Sequence, residues 1–339
     1  MILHPGILAL ICGSGVALLL LLYAAGLGVK ILSRWDFSSS SENQLALERK
    51  TTLVSTLVIC ALGFEIFSIF LFIFTVDEIH SLFVGAMCAT GSLNANPVGW
   101  YALYTKIFIF FAGALWLTLN HLDTRAEDFP LVRRKFAFLL LLTPLLGAAF
   151  YLQIAYFLGL HPEIITSCCG SLFSQAGNGI AADLAALPVE PTMAAFYGCG
   201  LLYLGSALPC LKGESRLFRT LFSLLAALFF FVAGAAIVSF ISLYIYELPT
   251  HHCPFDILQK NYGFVGYPLY LSLFGGALFG ILPGIFQPLK KVSTLAPEIR
   301  RLERKWVILS VVFSVCFLLL ASWPILFGQL RLVGTFQYG

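Results

Sequence analysis

Charge is what this chain has least of. Only 11% of its 339 residues are Asp, Glu, Lys or Arg, while 59% are hydrophobic. Soluble domains carry about 25% charged and 45–50% apolar residues, so too little polar surface is present to cover a water-exposed globule. No basic stretch interleaved with aromatics occurs, which excludes a nucleic-acid surface. There is no Gly-x-x-x-x-Gly-Lys-Ser/Thr loop to hydrolyse a nucleotide and no Cys-x-x-Cys-His for c-type haem. His-Glu-x-x-His and Gly-x-Ser-x-Gly are also absent. No histidine falls in the middle of an apolar run, which argues against paired bis-histidine haems inside a membrane. Acidic residues within those runs are few, which disfavours a long carboxylate proton relay and a carboxylate-rich membrane enzyme.

What is present is long apolar sequence. GILALICGSGVALLLLLYAAGLGV and LFSLLAALFFFVAGAAIVSFISLYIY exceed the roughly 20 residues that cross about 30 Å of hydrocarbon. Eight such runs, near 7–32, 52–76, 100–120, 135–157, 193–211, 220–246, 267–288 and 306–327, predict a single all-α polytopic membrane domain over residues 1–339. The first run lacks a preceding basic segment, and its basic residues Lys30 and Arg34 follow it. It therefore reads as a span rather than a cleaved signal.

The basic residues orient the chain. Placing both termini outside puts loops near 33–51, 121–134, 212–219 and 289–305 inside, and outer loops near 77–99, 158–192 and 247–266. The inner loops and their flanks then hold every Lys and Arg except Lys106, Lys260 and Arg331, as the positive-inside rule requires. Residues 36–45 read as a polar linker, and 297–305 as a short basic helix at the membrane surface. The loop-poor form suits a bacterial inner membrane, with lipid around the spans and an extracytoplasmic protein or membrane-complex subunits as partners.

Cysteine and histidine follow the opposite rule. Cys12, Cys60, Cys199, Cys210 and Cys316 lie within spans, where a thiol acts as a small hydrophobe. Cys88, Cys168, Cys169 and Cys253 all lie in outer loops, and no inner loop has a cysteine. His80, His161, His251 and His252 are outer as well. The first two outer loops share a pattern: His80 stands eight positions before Cys88 and His161 eight before Cys169, and Gly-Ser-Leu follows, after Ala-Thr in the first loop and directly in the second. Val98-Gly99-Trp100 and Val265-Gly266-Tyr267 begin the spans after the first and third outer loops. Repeated helix pairs would produce this pattern and would bring His and Cys to one surface.

Three functions fit that cluster. The first is a soft-metal site for binding, transfer or transport, since thiolate and neutral imidazole suit copper(I) or zinc(II). Cys88, Cys168, Cys169 and Cys253 would be its thiolates, His251 and His252 its best imidazoles, and His80 and His161 secondary ligands or orienting groups. Only three Met residues are present, which argues against a Met-lined copper path. The second is thiol–disulfide exchange with a thioredoxin-like or cytochrome-maturation partner outside. Cys253-Pro-Phe-Asp256 has the first half of a redox motif, with Asp at the position of the second cysteine. The third is a non-catalytic membrane subunit whose docking loops are pinned by disulfides.

Two ionisable residues fall inside spans. Glu65 lies mid-way along the second and Lys106 about two turns into the third, at depths a long side chain can bridge. An ionisable group there is expensive unless paired or hydrated, so the two are expected to pair, or to belong to an ion or proton path. Pro283 in the seventh span is expected to kink it or to mark a broken helix.

Overall fold

The computed structural model describes residues 3–36, 41–126, 128–161, 163, 166, 180–213 and 215–332. They contain helices and no strand, and eight helices are long and apolar enough to cross a membrane. The protein is an integral membrane protein. In chain order the elements are α1 (Pro5–Arg34), α2 (Glu42–Glu78), α3 (Ala89–Asn94), α4 (Gly99–Asp123), α5 (Val132–Leu158), α6 (Ile180–Ala185), α7 (Val189–Lys212), α8 (Arg216–Ala236), α9 (Ser242–Tyr246), α10 (Gly266–Phe286) and α11 (Ala296–Phe327). A π-helical turn, Ile237–Ile241, joins α8 to α9 so that they form one span.

The helices group into two compact units. The first comprises Met1–Val84, Ser92–Ile164 and Val292–Glu298; the second comprises Gly85–Gly91, Ile165–Lys291 and Ile299–Gly339.

In the first unit α1 packs on α2 and α5, and α4 packs on the same two helices, closing a ring of four. The inward faces recur at three- and four-residue spacing, as in Ile7, Leu10, Ser14, Ala17, Leu21 and Ala24 of α1, the signature of a helix with one buried stripe. Leu19, Leu22, Phe67, Phe74 and Leu141 face outward, where hydrocarbon is their solvent. Ser41 caps α2 by accepting from the Gln44 N–H at 3.4 Å. The helix therefore starts ten residues earlier than the apolar run and takes in residues 42–45 of the expected polar linker.

One end of this ring is closed by charge. The Lys135 ammonium lies 2.7 Å from Asp123 Oδ2 and donates to Asn120 Oδ1 at 3.0 Å, while Asp123 Oδ1 accepts from the Leu131 N–H at 2.7 Å. Both side chains are sealed from solvent. Lys135, expected only as a topology determinant, is thus also an internal strut.

The second unit packs α8 against α7 and α10, and α11 against α10 through small residues. A Cβ at Gly276 would come within 2.6 Å of Ser314 Oγ, so only glycine allows this approach. Ser310 uses the proximity to donate to the Gly276 carbonyl at 2.6 Å. Pro283 does not break α10. Close beside it, Ser223 of α8 inserts its hydroxyl into the ladder, donating to Gly280 O at 2.9 Å and accepting from Gly284 N at 2.7 Å. A side chain from the neighbouring helix thereby completes the disturbed turn.

The basic stretch 297–305 is not a separate surface helix. It forms the first turns of α11, because Glu303 within it is buried and needs partners: Arg219 Nε at 2.8 Å and Lys290 Nζ at 2.5 Å, both on Oε2.

The Asp123–Lys135 pair gives a direct test. Replacing Lys135 by Met strands a buried carboxylate and should cost about 3–5 kcal/mol of stability. The double variant Lys135→Met/Asp123→Leu should recover most of that loss. Thermal unfolding of the detergent-solubilised protein measures both.

Candidate metal centre

The site is built by the loop between α9 and α10. Glu247 ends α9 in the left-handed conformation (φ 54°), turning the chain back over the helix end. The loop that follows is buried despite its polar sequence: His252, Cys253, Asp256, Ile257 and Leu258 are all nearly sealed. Two tyrosines from the flanking helices hold its backbone. Tyr246 Oη donates to Cys253 O at 2.5 Å and accepts from Ile257 N at 2.9 Å. Tyr270 Oη donates to Pro254 O at 2.5 Å. Gly266 starts α10 where a Cβ would lie 2.9 Å from the Ile257 carbonyl, which explains the glycine of Val265-Gly266-Tyr267. At the matching position in the first unit, a Cβ on Gly99 would press on the Leu93 carbonyl and the Tyr156 ring.

The segment Gly85–Gly91 completes the site. Gly85 adopts φ 85°, a conformation open to glycine, and Gln259 Nε2 donates to Met87 O at 2.7 Å, tying the segment to the loop. Cys88 and Cys253, 165 residues apart in sequence, are brought to an Sγ···Sγ distance of 3.4 Å. Both side chains are fully buried. Thr90 Oγ1 and the Phe255 N–H each approach Cys253 Sγ to 3.4 Å. A carboxylate oxygen of Asp256 joins them, so that the two sulfurs and this oxygen all lie within 4.8 Å of one another. Asp256 Oδ1 is buried with no hydrogen-bond partner among the described residues, while Oδ2 is bonded to His251 Nε2.

The histidines divide into different roles from those expected. His251 stands behind Asp256, its ring against Tyr246 at 4.8 Å, and orients the carboxylate. His252 Nδ1 bonds the Val238 carbonyl at 2.9 Å, a backbone group within the π-helical turn, where the ordinary helical hydrogen-bond register is interrupted. In the first unit, His80 Nδ1 meets the Asp77 carbonyl of its own helix, and His161 is exposed. Cys168 and Cys169, and with them the second copy of the loop pattern, lie outside the described residues. Asp256 and Thr90 are the site residues that the spacing of His and Cys did not reveal. The one signal for Asp256 was its place at the second cysteine position of a redox-like motif.

The surroundings are electronegative. Tyr262 beside the loop has its phenol raised above the ordinary value, chiefly by burial and then by Asp256 and Cys253. Two thiols and a carboxyl with so little water around them must share protons or a cation, because an unpaired buried charge is too costly to keep.

The tyrosine clamp can be tested apart from any function. In Tyr246→Phe the Cys253 carbonyl and the Ile257 N–H lose their shared partner. The expected loss is about 1–3 kcal/mol, together with faster alkylation of Cys253, which site-resolved mass spectrometry measures. Comparison of the chain with protein-family models, curated proteins and solved structures gives no match.

Proposed function

We propose that this membrane protein binds a thiophilic cation, zinc(II) or copper(I), through Cys88, Cys253 and Asp256, for transfer or transport at the extracytoplasmic face of a bacterial inner membrane. The observation that carries the reading is the convergence of two thiols and a carboxylate oxygen within 4.8 Å in a buried site. Thiolates bind zinc at about 2.3 Å and carboxylate oxygens at about 2.0–2.2 Å, which places ligand atoms about 3–4 Å apart around a tetrahedral ion. The Sγ···Sγ separation of 3.4 Å fits that range. The carboxylate favours zinc, since copper(I) prefers thiolate donors alone. His251 behind Asp256 supplies the outer hydrogen bond that fixes a ligating carboxylate. Transfer would deliver the ion to, or take it from, an extracytoplasmic protein or an accompanying membrane subunit.

A second reading has its own support. Two cysteine sulfurs 3.4 Å apart can close to a disulfide by side-chain rotation under an oxidant, and the redox function would use that step. Against it, both thiols are fully buried, whereas exchange with a protein partner needs an accessible sulfur.

Elemental analysis of protein purified without oxygen or chelators separates the two. The metal reading expects close to one zinc or copper per chain. It expects none in Cys253→Ser and, in Asp256→Asn, an affinity lowered by more than the about 10- to 100-fold that loss of a mere supporting group causes at metal sites. A metal-free wild type, with a Cys88–Cys253 disulfide that forms in air and reopens with reductant, would replace the metal reading by the redox one.

A further inference from the structure

The first unit has a polar layer of its own, in the middle of its four-helix ring. Glu65 of α2 and Lys106 of α4 are both nearly sealed from solvent, with Lys106 Nζ 3.8 Å from Glu65 Oε2. That is the pairing expected from their depths, but it is not closed as the Asp123–Lys135 pair is. Lys106 instead donates to Ser68 Oγ at 2.9 Å, and Ser68 donates to the Glu65 backbone carbonyl at 2.7 Å, with Glu65 Oε2 at 3.2 Å. The hydroxyl stands between the charges.

Two further buried groups reach the same level. Phe72 of α2 packs on Phe157 of α5, ring centroids 5.8 Å apart, and Lys106 Nζ lies 5.7 Å from the Phe72 centroid. One turn along each helix, on the same face, Phe72 is followed by Ser68 and Phe157 by Gln153. Gln153 is therefore in register with Ser68 and Lys106. It is 1% exposed, and neither its amide nitrogen nor its amide oxygen has a hydrogen-bond partner among the described residues. Ser14 of α1 is 4% exposed with its hydroxyl equally unmet. Its neighbour Gly13 lies against the Phe64 ring and Gly15 against the Phe150 ring, which sets Ser14 beside Glu65 in height. An amide and a hydroxyl held in an apolar bundle without protein partners are satisfied by water.

We propose that Glu65 is a reversible proton-binding group in a hydrated chamber enclosed by α1, α2, α4 and α5. The ligand is the proton, and its carriers within the chamber are the waters held by Gln153, Ser14 and Ser68. Protonation relays a proton from bulk solvent through the chamber waters, each water gaining one proton as it passes one on, to Glu65 Oε, neutralising the carboxylate and leaving Lys106 donating to Ser68. Deprotonation returns the proton to bulk solvent by the same relay and restores the ion pair. The charged and titratable groups around Glu65 are few. The buried face of α1 carries none, that of α4 offers Lys106, with Asp123 engaged at the far end, and that of α5 offers Tyr156, with Lys135 engaged by Asp123. Tyr156 donates its proton to the Ser92 carbonyl at 2.9 Å, so Lys106 is the counter-charge that governs the site. None of this depends on the metal centre.

Infrared difference spectroscopy of the full-length protein in lipid nanodiscs, stepped in pH in H₂O and D₂O, tests the assignment. The expected result is a protonated-carboxyl C=O band that grows reversibly as pH falls and shifts on deuteration. It should be absent in Glu65→Gln and displaced in Gln153→Leu, which keeps the bulk of the side chain but removes the water's partner. A wild type without such a band, or a band unchanged in Glu65→Gln, overturns the proposal. Should Glu65→Gln fail to fold, Gln153→Leu and Ser14→Ala leave the ion pair in place, and a band unmoved in both overturns it equally.

Discussion

Hydrocarbon offers no hydrogen bond, so every polar group carried into the membrane must find its partner inside the protein or in trapped water. Much of this structure follows from that constraint. Beside Pro283, where the α10 ladder is disturbed, Ser223 reaches across from α8 and bonds both Gly280 and Gly284. Where α10 and α11 approach through Gly276, Ser310 donates to its carbonyl and accepts from the Tyr203 hydroxyl. Lys135 enters the first unit only with Asp123 and Asn120 around it, and Glu303 enters the second only with Arg219 and Lys290.

The same constraint separates structural polar groups from chemical ones. Asp123 uses both carboxylate oxygens on partners within the fold, and its position is explained by the helix end that it closes. Asp256 uses one oxygen on His251, its other oxygen is buried and unmet among the described residues, and one of the two lies within 4.8 Å of both thiol sulfurs. Gln153 has both amide atoms unmet in the middle of a bundle. A fold does not keep such groups for stability, since an apolar residue of similar size would pack as well without the desolvation cost.

Much of the fold was legible in the residues. All eight spans were, and so was the pairing of Glu65 with Lys106, because depth along a helix can be counted at 1.5 Å per residue. The helix ends were less legible. α2 starts at Ser41, whose capping hydroxyl lies in a stretch that reads as a linker, and α11 absorbs a basic segment that reads as a surface helix because Glu303 is drawn inward by two cations. At the candidate site, Cys88 and Cys253 were identified as chemistry-bearing, but nothing in their surroundings pairs residues 165 positions apart. His251 and His252 look equivalent in sequence, yet one braces a carboxylate and the other satisfies a backbone carbonyl of a π-helical turn. That turn has no residue signature, so neither role could be read in advance.

By itself the sequence determined that the chain lives in a membrane, how many times it can cross, and which residues can carry chemistry. Apolar transfer free energy is local and roughly additive along the chain, so counting residues suffices. Only the tertiary structure decided which thiols meet, that Asp256 rather than a second histidine joins them, and that Gln153 stands in register with Ser68 without a partner. Ligation and hydrogen bonding are directional and lost within about an ångström, and distances of that size are set by the packing of helices far apart in the sequence.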